Sequence, residues 1–129
     1  MSASGVVMHM RTLPGQADWM ALDKPLPCPM WPGYKGPEFV PVDFPWNGNS
    51  AGILVPIYPR WNHPIASCRH DFRCEQARNS KERAWADREY ENDVGTTGWW
   101  ITKKIGYLGV RVGALLGIGS NFDRVEEGA

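Results

Sequence analysis

Between Pro64 and Gly95 the chain carries two runs of helical periodicity separated by almost nothing, and this limits the possible folds more than any other feature. Pro64 suits the first position of a helix, where its missing N–H would have no intrahelical partner, and Asn62 or His63 stands ready to cap it. The run continues through Ile65, Cys68, His70, Phe72 and Cys74 to about Arg78. Asn79-Ser80-Lys81-Glu82 then has the form of a capping box, with Asn79 in the place of the usual Ser or Thr. The second run carries Ala84, Trp85, Asp87, Tyr90 and Val94 and stops at Gly95, a residue suited to the left-handed position past a helix end. A connection of roughly two residues makes the two helices antiparallel neighbours. Residues equidistant from the turn then sit level, which sets His70 opposite Asp87.

An imidazole facing a carboxylate has a clear chemical use. The carboxylate fixes the tautomer, and the other ring nitrogen is left to take a proton from water. Asp71 follows His70 on the same helix but points about 100° away, where its oxygens suit a hard cation. The same His–Asp pair also serves simply to staple two helices. A transition metal is the third option: His70 and Cys74 share a face, with His63 and Cys68 near, but no fourth ligand stands at a convincing spacing for zinc.

The remaining elements are less regular. Gly5–Leu13 and Trp19–Leu22 read as short strands, and Pro25–Pro37 as an extended loop broken by prolines. Glu38–Phe44 alternates Phe39, Val40, Val42 and Phe44, and Pro41 makes it an edge strand. Trp46–Ser50 is a turn in which Asn47-Gly48 signals positive φ. Ile53–Tyr58 leads across to the helices. Thr96 or Thr97 caps a third helix in which Gly109, Gly113 and Gly117 recur on one face. The expected architecture is α+β and mainly helical: a small N-terminal antiparallel sheet and proline-rich loops packed on three helices at about 64–78, 80–94 and 97–117. One domain spans 1–129, with an extended part over 1–60 and a helical part over 61–122.

Charge and cysteine content exclude several classes. Fourteen basic and 14 acidic residues give a net charge of zero, so no bulk charge holds the chain to nucleic acid. Arg69, Arg73, Arg78, Lys81 and Arg83 cluster, but they alternate with acids and read as a solvated helix face. Cys28, Cys68 and Cys74 are three, an odd count, which fits a reducing compartment such as the cytoplasm where the chain is made. The start lacks a basic segment followed by an apolar run. The most apolar stretch, Ile105–Ile118, contains Arg111 and is too short for an ordinary membrane-spanning helix, leaving at most a weak membrane contact. Seven tryptophans and 11 prolines point to a stiff N-terminal half held by aromatic contacts.

Two resemblances attach to these motifs. Ser67-Cys68-Arg69-His70-Asp71-Phe72 followed by Arg83–Tyr90 resembles the His–Asp helical hairpin of the phospholipase A2 group, especially its bacterial and fungal branch. That resemblance implies His70 as the base that activates water, Asp71 as a calcium ligand and Asp87 as the group that orients His70. The glycine-rich calcium loop and the disulfides of the secreted enzymes are missing. Phe39–Phe44, the turn Asn47-Gly48-Asn49-Ser50, His70-Asp71, Ala86-Asp87 and Tyr107–Gly113 occur in an order similar to a family of short phage and prophage proteins known only as a domain of unknown function. The likeness spans about residues 19–122. Where that family begins its turn with Asp this chain has Asn47, which removes a charge from a cation site there; where it prefers Tyr, this chain has Cys74.

Together these imply a phage virion structural protein, of the tail or baseplate, made in the host cytoplasm and then built into the virion. Its partners would be other phage structural proteins in a multi-chain assembly, with Trp31, Trp99, Trp100, Gly109, Gly113 and Gly117 as contact residues and no cofactor required. The alternative is a calcium-dependent lipid esterase acting on the host envelope, with His70 and Asp87 catalytic and Asp71 and Asn47 holding calcium. A hydrolase frame that lost activity and now serves assembly lies between the two.

Overall fold

The computed structural model describes residues 6–48, 63–95 and 100–116. Within them lie β1 (Met10–Leu13), β2 (Gln16–Leu22), β3 (Leu26–Pro27), β4 (Phe39–Val40), β5 (Pro45–Trp46), α1 (Pro64–Gln76), α2 (Ser80–Gly95) and α3 (Trp100–Leu115). The α+β architecture expected from the sequence is present: small antiparallel sheets and three helices. The expectations for Ile53–Tyr58, the Thr96 or Thr97 cap, Trp99 and Gly117 lie outside the described residues.

β1, β2 and β5 form one antiparallel sheet in the order β1-β2-β5, and β3 pairs with β4 in a second. The β1–β2 turn places Gly15 at φ 76°, a left-handed conformation that a Cβ would strain. Gly48 has φ 80°, as the Asn-Gly pair requires. The strands differ from the expected ones: β1 starts at Met10, β2 starts earlier, at Gln16, and proline cuts β4 short. β4 holds two residues and stops before Pro41, which has no N–H to donate to a ladder.

The cap at Asn79 forms as its sequence implies. The Glu82 amide donates to Asn79 Oδ1 at 2.9 Å, and Glu82 Oε1 accepts from the Arg78 amide at 2.8 Å, one residue outside the usual box. At the start of α1, His63 is the capping position with φ 59°, and Pro64 begins the helix. Its side chain makes no capping bond; Ser67 Oγ donates to the Pro64 carbonyl at 3.0 Å instead.

Among the described residues, two apolar clusters hold the fold. The larger joins Leu22, Leu26, Cys28, Val40, Phe44 and Trp46 to Cys68 and Phe72 of α1. Trp46 is fully buried and its indole N–H donates to Ser67 Oγ at 3.3 Å, so β5 is pinned to the second turn of α1. The smaller cluster, Ala66, Tyr90, Val94 and Val110, ties α3 to the hairpin. Two expectations are corrected here. Trp31, expected to contact another chain, is buried in the larger cluster, edge-on to Tyr34 at 5.2 Å and to Trp85 at 5.9 Å. The basic cluster is not a solvated face: Arg69, Arg73 and Arg83 are buried, and Arg78 and Lys81 are exposed.

Candidate functional site: the His70–Asp87 pair

The buried arginines explain how the hairpin tolerates so much charge. Asp93 of α2 lies between Arg69 Nη1 at 3.4 Å and Arg73 Nη1 at 3.0 Å. Both guanidiniums then reach the N-terminal part, Arg69 Nε donating to the Pro27 carbonyl of β3 at 2.8 Å and Arg73 Nη2 to the Pro29 carbonyl just after it at 2.9 Å. These two donors satisfy backbone carbonyls of the proline-rich segment. Arg73 also lies over the Trp85 ring, 5.5 Å from its centre.

One turn along, α1 and α2 bring His70 and Asp87 together as their equal distance from the turn requires. The His70 Nε2–H donates to Asp87 Oδ1 at 2.7 Å. Asp87 has no exposed surface, and its carboxylate has two further donors: Arg83 Nε on Oδ1 at 3.0 Å and Arg111 Nη1 of α3 on Oδ2 at 2.7 Å. Arg83 extends to the Val110 carbonyl at 3.2 Å. One carboxylate thus joins α1, α2 and α3. Burial by itself would raise the Asp87 pKa; the His70 hydrogen bond and the charges around it outweigh burial and hold it below the usual range. Burial keeps His70 harder to protonate than a free imidazole, against the pull of Asp87.

The rest of the His70 ring is enclosed. His70 is 7% exposed, and its ring lies 5.0 Å from the Tyr90 ring. Cys74 Sγ stands 3.9 Å from Nδ1 and 3.4 Å from Nε2. The thiol therefore lies against the ring, nearer the nitrogen that donates to Asp87 than Nδ1, and burial pushes its own pKa upward. His70, Cys74 and Asp87 are the one group of metal-ligating side chains among the described residues, with their ligand atoms within 4.8 Å of one another. Two guanidiniums already occupy the carboxylate, so a divalent cation here would add charge to a buried site that holds a surplus of it.

Asp71 points elsewhere. Its carboxyl is half-buried and makes no hydrogen bond or ion pair among the described residues, and desolvation pushes its pKa up to about 7. Asn47 is half-buried at the end of β5. Gly109 is buried on α3, while Trp100 and Gly113 are helical there with their surroundings outside the described residues.

The Asp71 shift has a testable consequence. An acid whose folded pKa exceeds its unfolded value costs stability as pH rises through the interval between them, here from 3.8 to about 7. His70 acts oppositely: the unfolded chain takes the proton first, so stability falls as pH drops below the ordinary 6.5. Asp71→Asn is expected to stabilise the fold by ~1–2 kcal/mol at pH 8, a fraction of the full shift because the carboxyl is half-screened. Near pH 4 the gain should vanish. Thermal melts at both pH values check this.

Sequence reasoning located His70 and Asp87 but missed the arginine clamp. Arg83 precedes Asp87 by four residues, the spacing of a helical ion pair, and that was the available signal. Arg111 gave no comparable signal, since only the packing of α3 brings it to Asp87.

No family model, curated protein or solved structure matches this chain.

Proposed function

We propose that the chain is a structural protein of a phage virion, a tail or baseplate component, in which the His70–Asp87 pair serves the fold and not catalysis. The observation that carries this reading is the state of Asp87: a carboxylate without exposure, taken up by His70, Arg83 and Arg111 at once. A catalytic dyad needs a ring nitrogen open to water, and here His70 is buried with the Cys74 thiol against its ring. The ordered likeness to short phage proteins supports the virion role. So do the exposed apolar side chains of α3, which suit contact with other structural proteins in a multi-chain assembly. The chain would be made in the host cytoplasm and then incorporated, with no nucleic acid and no cofactor needed. Protein composition of purified particles tests this: the chain should be present at a fixed ratio to known virion proteins. Its absence from particles would sink the proposal.

A calcium-dependent lipid esterase acting on the host envelope is the second reading. It is favoured by one observation, a 2.7 Å His70–Asp87 bond beside an Asp71 that has no ion partner among the described residues. On that reading calcium raises the melting temperature at pH 8, where Asp71 is ionised, and Asp71→Asn abolishes the gain. On the structural reading calcium changes neither protein.

A further inference from the structure

α3 is held to the fold in a different way from α1 and α2. Its main neighbour is α2. Among the described residues, Val110 is the one apolar side chain of α3 that is buried, in the cluster with Ala66, Tyr90 and Val94, and Tyr107 is partly buried against that cluster. Leu108, Val112 and Leu115, with Leu116 just after the helix, are exposed. They recur at intervals of four, seven and eight residues, so they form one stripe that adds nothing to the docking of the helix.

Polar contacts supply the rest. Lys104 Nζ meets Glu91 Oε2 at 2.7 Å, and Arg111 Nη1 meets Asp87 Oδ2 at 2.7 Å. Arg88 Nη2 donates to the Tyr107 hydroxyl at 2.9 Å, with its guanidinium 4.3 Å from the ring centre. Arg83 Nη2 donates to the Val110 carbonyl at 3.2 Å. The Lys104 and Arg88 side chains are more than half exposed, so water and salt compete for these contacts.

The hairpin does not depend on α3 to satisfy its own buried acids. Glu91 also pairs with Arg88, and Asp87 with His70 and Arg83. Those bases all sit on α1 and α2. Removing α3 leaves each acid with a partner and returns Lys104 and Arg111 to water. α1 has no such exit. Its Cys68 and Phe72 pack with Leu22 and Trp46 in the larger cluster. Parting α1 from α2 would also break the pairs of Asp93 with Arg69 and Arg73, all three of them buried.

We infer that α3 is a separable arm, which leaves α2 and returns while the α1–α2 hairpin and the sheets stay folded. The open form is a local opening of the native chain, with its own low free energy, and not global unfolding. The His70–Asp87 bond stays made in both forms, whichever role that pair has.

Backbone hydrogen exchange, read peptide by peptide by mass spectrometry, tests this. Amides in the middle of α3 should exchange about tenfold faster, or more, than those of α1 and α2. Lys104→Gln combined with Arg111→Gln removes both charged ties and keeps good helix formers. In that variant α3 should exchange about tenfold faster again, with α1 and α2 unchanged. If the variant does not fold, the wild type in ~1 M sodium chloride takes its place, since screening then acts over about 3 Å, and α3 alone should again speed up. An α3 as slow as α1 and α2 in the wild type would overturn the inference. So would a variant, or added salt, that leaves α3 unchanged or speeds all three helices equally.

Discussion

Asp87→Asn should lower stability by ~3–5 kcal/mol, the usual result of breaking a buried ion pair from one side. The melting temperature should fall by roughly 10–20 °C. Three groups lose their shared anion at once: His70 from α1, Arg83 from α2 and Arg111 from α3. Two of them are guanidiniums, which cannot shed their charge, and Arg83 is buried. The neutral amide offers one acceptor oxygen where the carboxylate satisfied three donors. Removing both sides should cost much less, so a variant that also carries Arg83→Met is expected to recover part of the loss. Chemical denaturation of the three proteins checks this. A change under about 0.5 kcal/mol, as for an ordinary surface substitution, would mean that Asp87 does not join the helices.

Arg73→Met should cost a similar ~3–5 kcal/mol. Arg73 is 1% exposed and connects Asp93 on α2 with the Pro29 carbonyl in the N-terminal loops. Methionine fills much of the same volume, so the loss reports the polar contacts more than a cavity. Asp93 would keep its contact with Arg69, at the longer distance of 3.4 Å. The Pro29 carbonyl would lose the two donors of Arg73. A solvated arginine at this position would give almost no change. Denaturation therefore also decides between the buried role of this side chain and the surface role that its charged neighbours imply.

These residues show what was legible in the sequence and what was not. Helix punctuation is local chemistry, so Pro64 and Asn79 announced the hairpin, and the short connection then set His70 level with Asp87; Gly95, expected in a left-handed position past the helix end, is instead the last residue of α2. The buried charges were not legible in the same way. A run of alternating bases and acids on a helix looks the same whether its partners are water or carbonyls from a distant loop. Arg69 and Arg73 are buried with partners more than 40 residues upstream, the carbonyls of Pro27 and Pro29. The tryptophans misled for a related reason. Trp31 suits an interface by residue type, yet its place in a proline-rich loop folds it against Tyr34 and Trp85. The glycine repeat of α3 drew attention to one face of that helix, while the exposed apolar stripe is set by Leu108, Val112, Leu115 and Leu116.

The role of His70 can be tested by its chemistry directly. Fatty-acid release from phospholipid vesicles with calcium present should be measured for the wild-type chain and for His70→Gln. A pair that serves only the fold leaves both proteins at the level of buffer alone. Calcium-dependent release by the wild type that His70→Gln abolishes would contradict that role and make the pair catalytic.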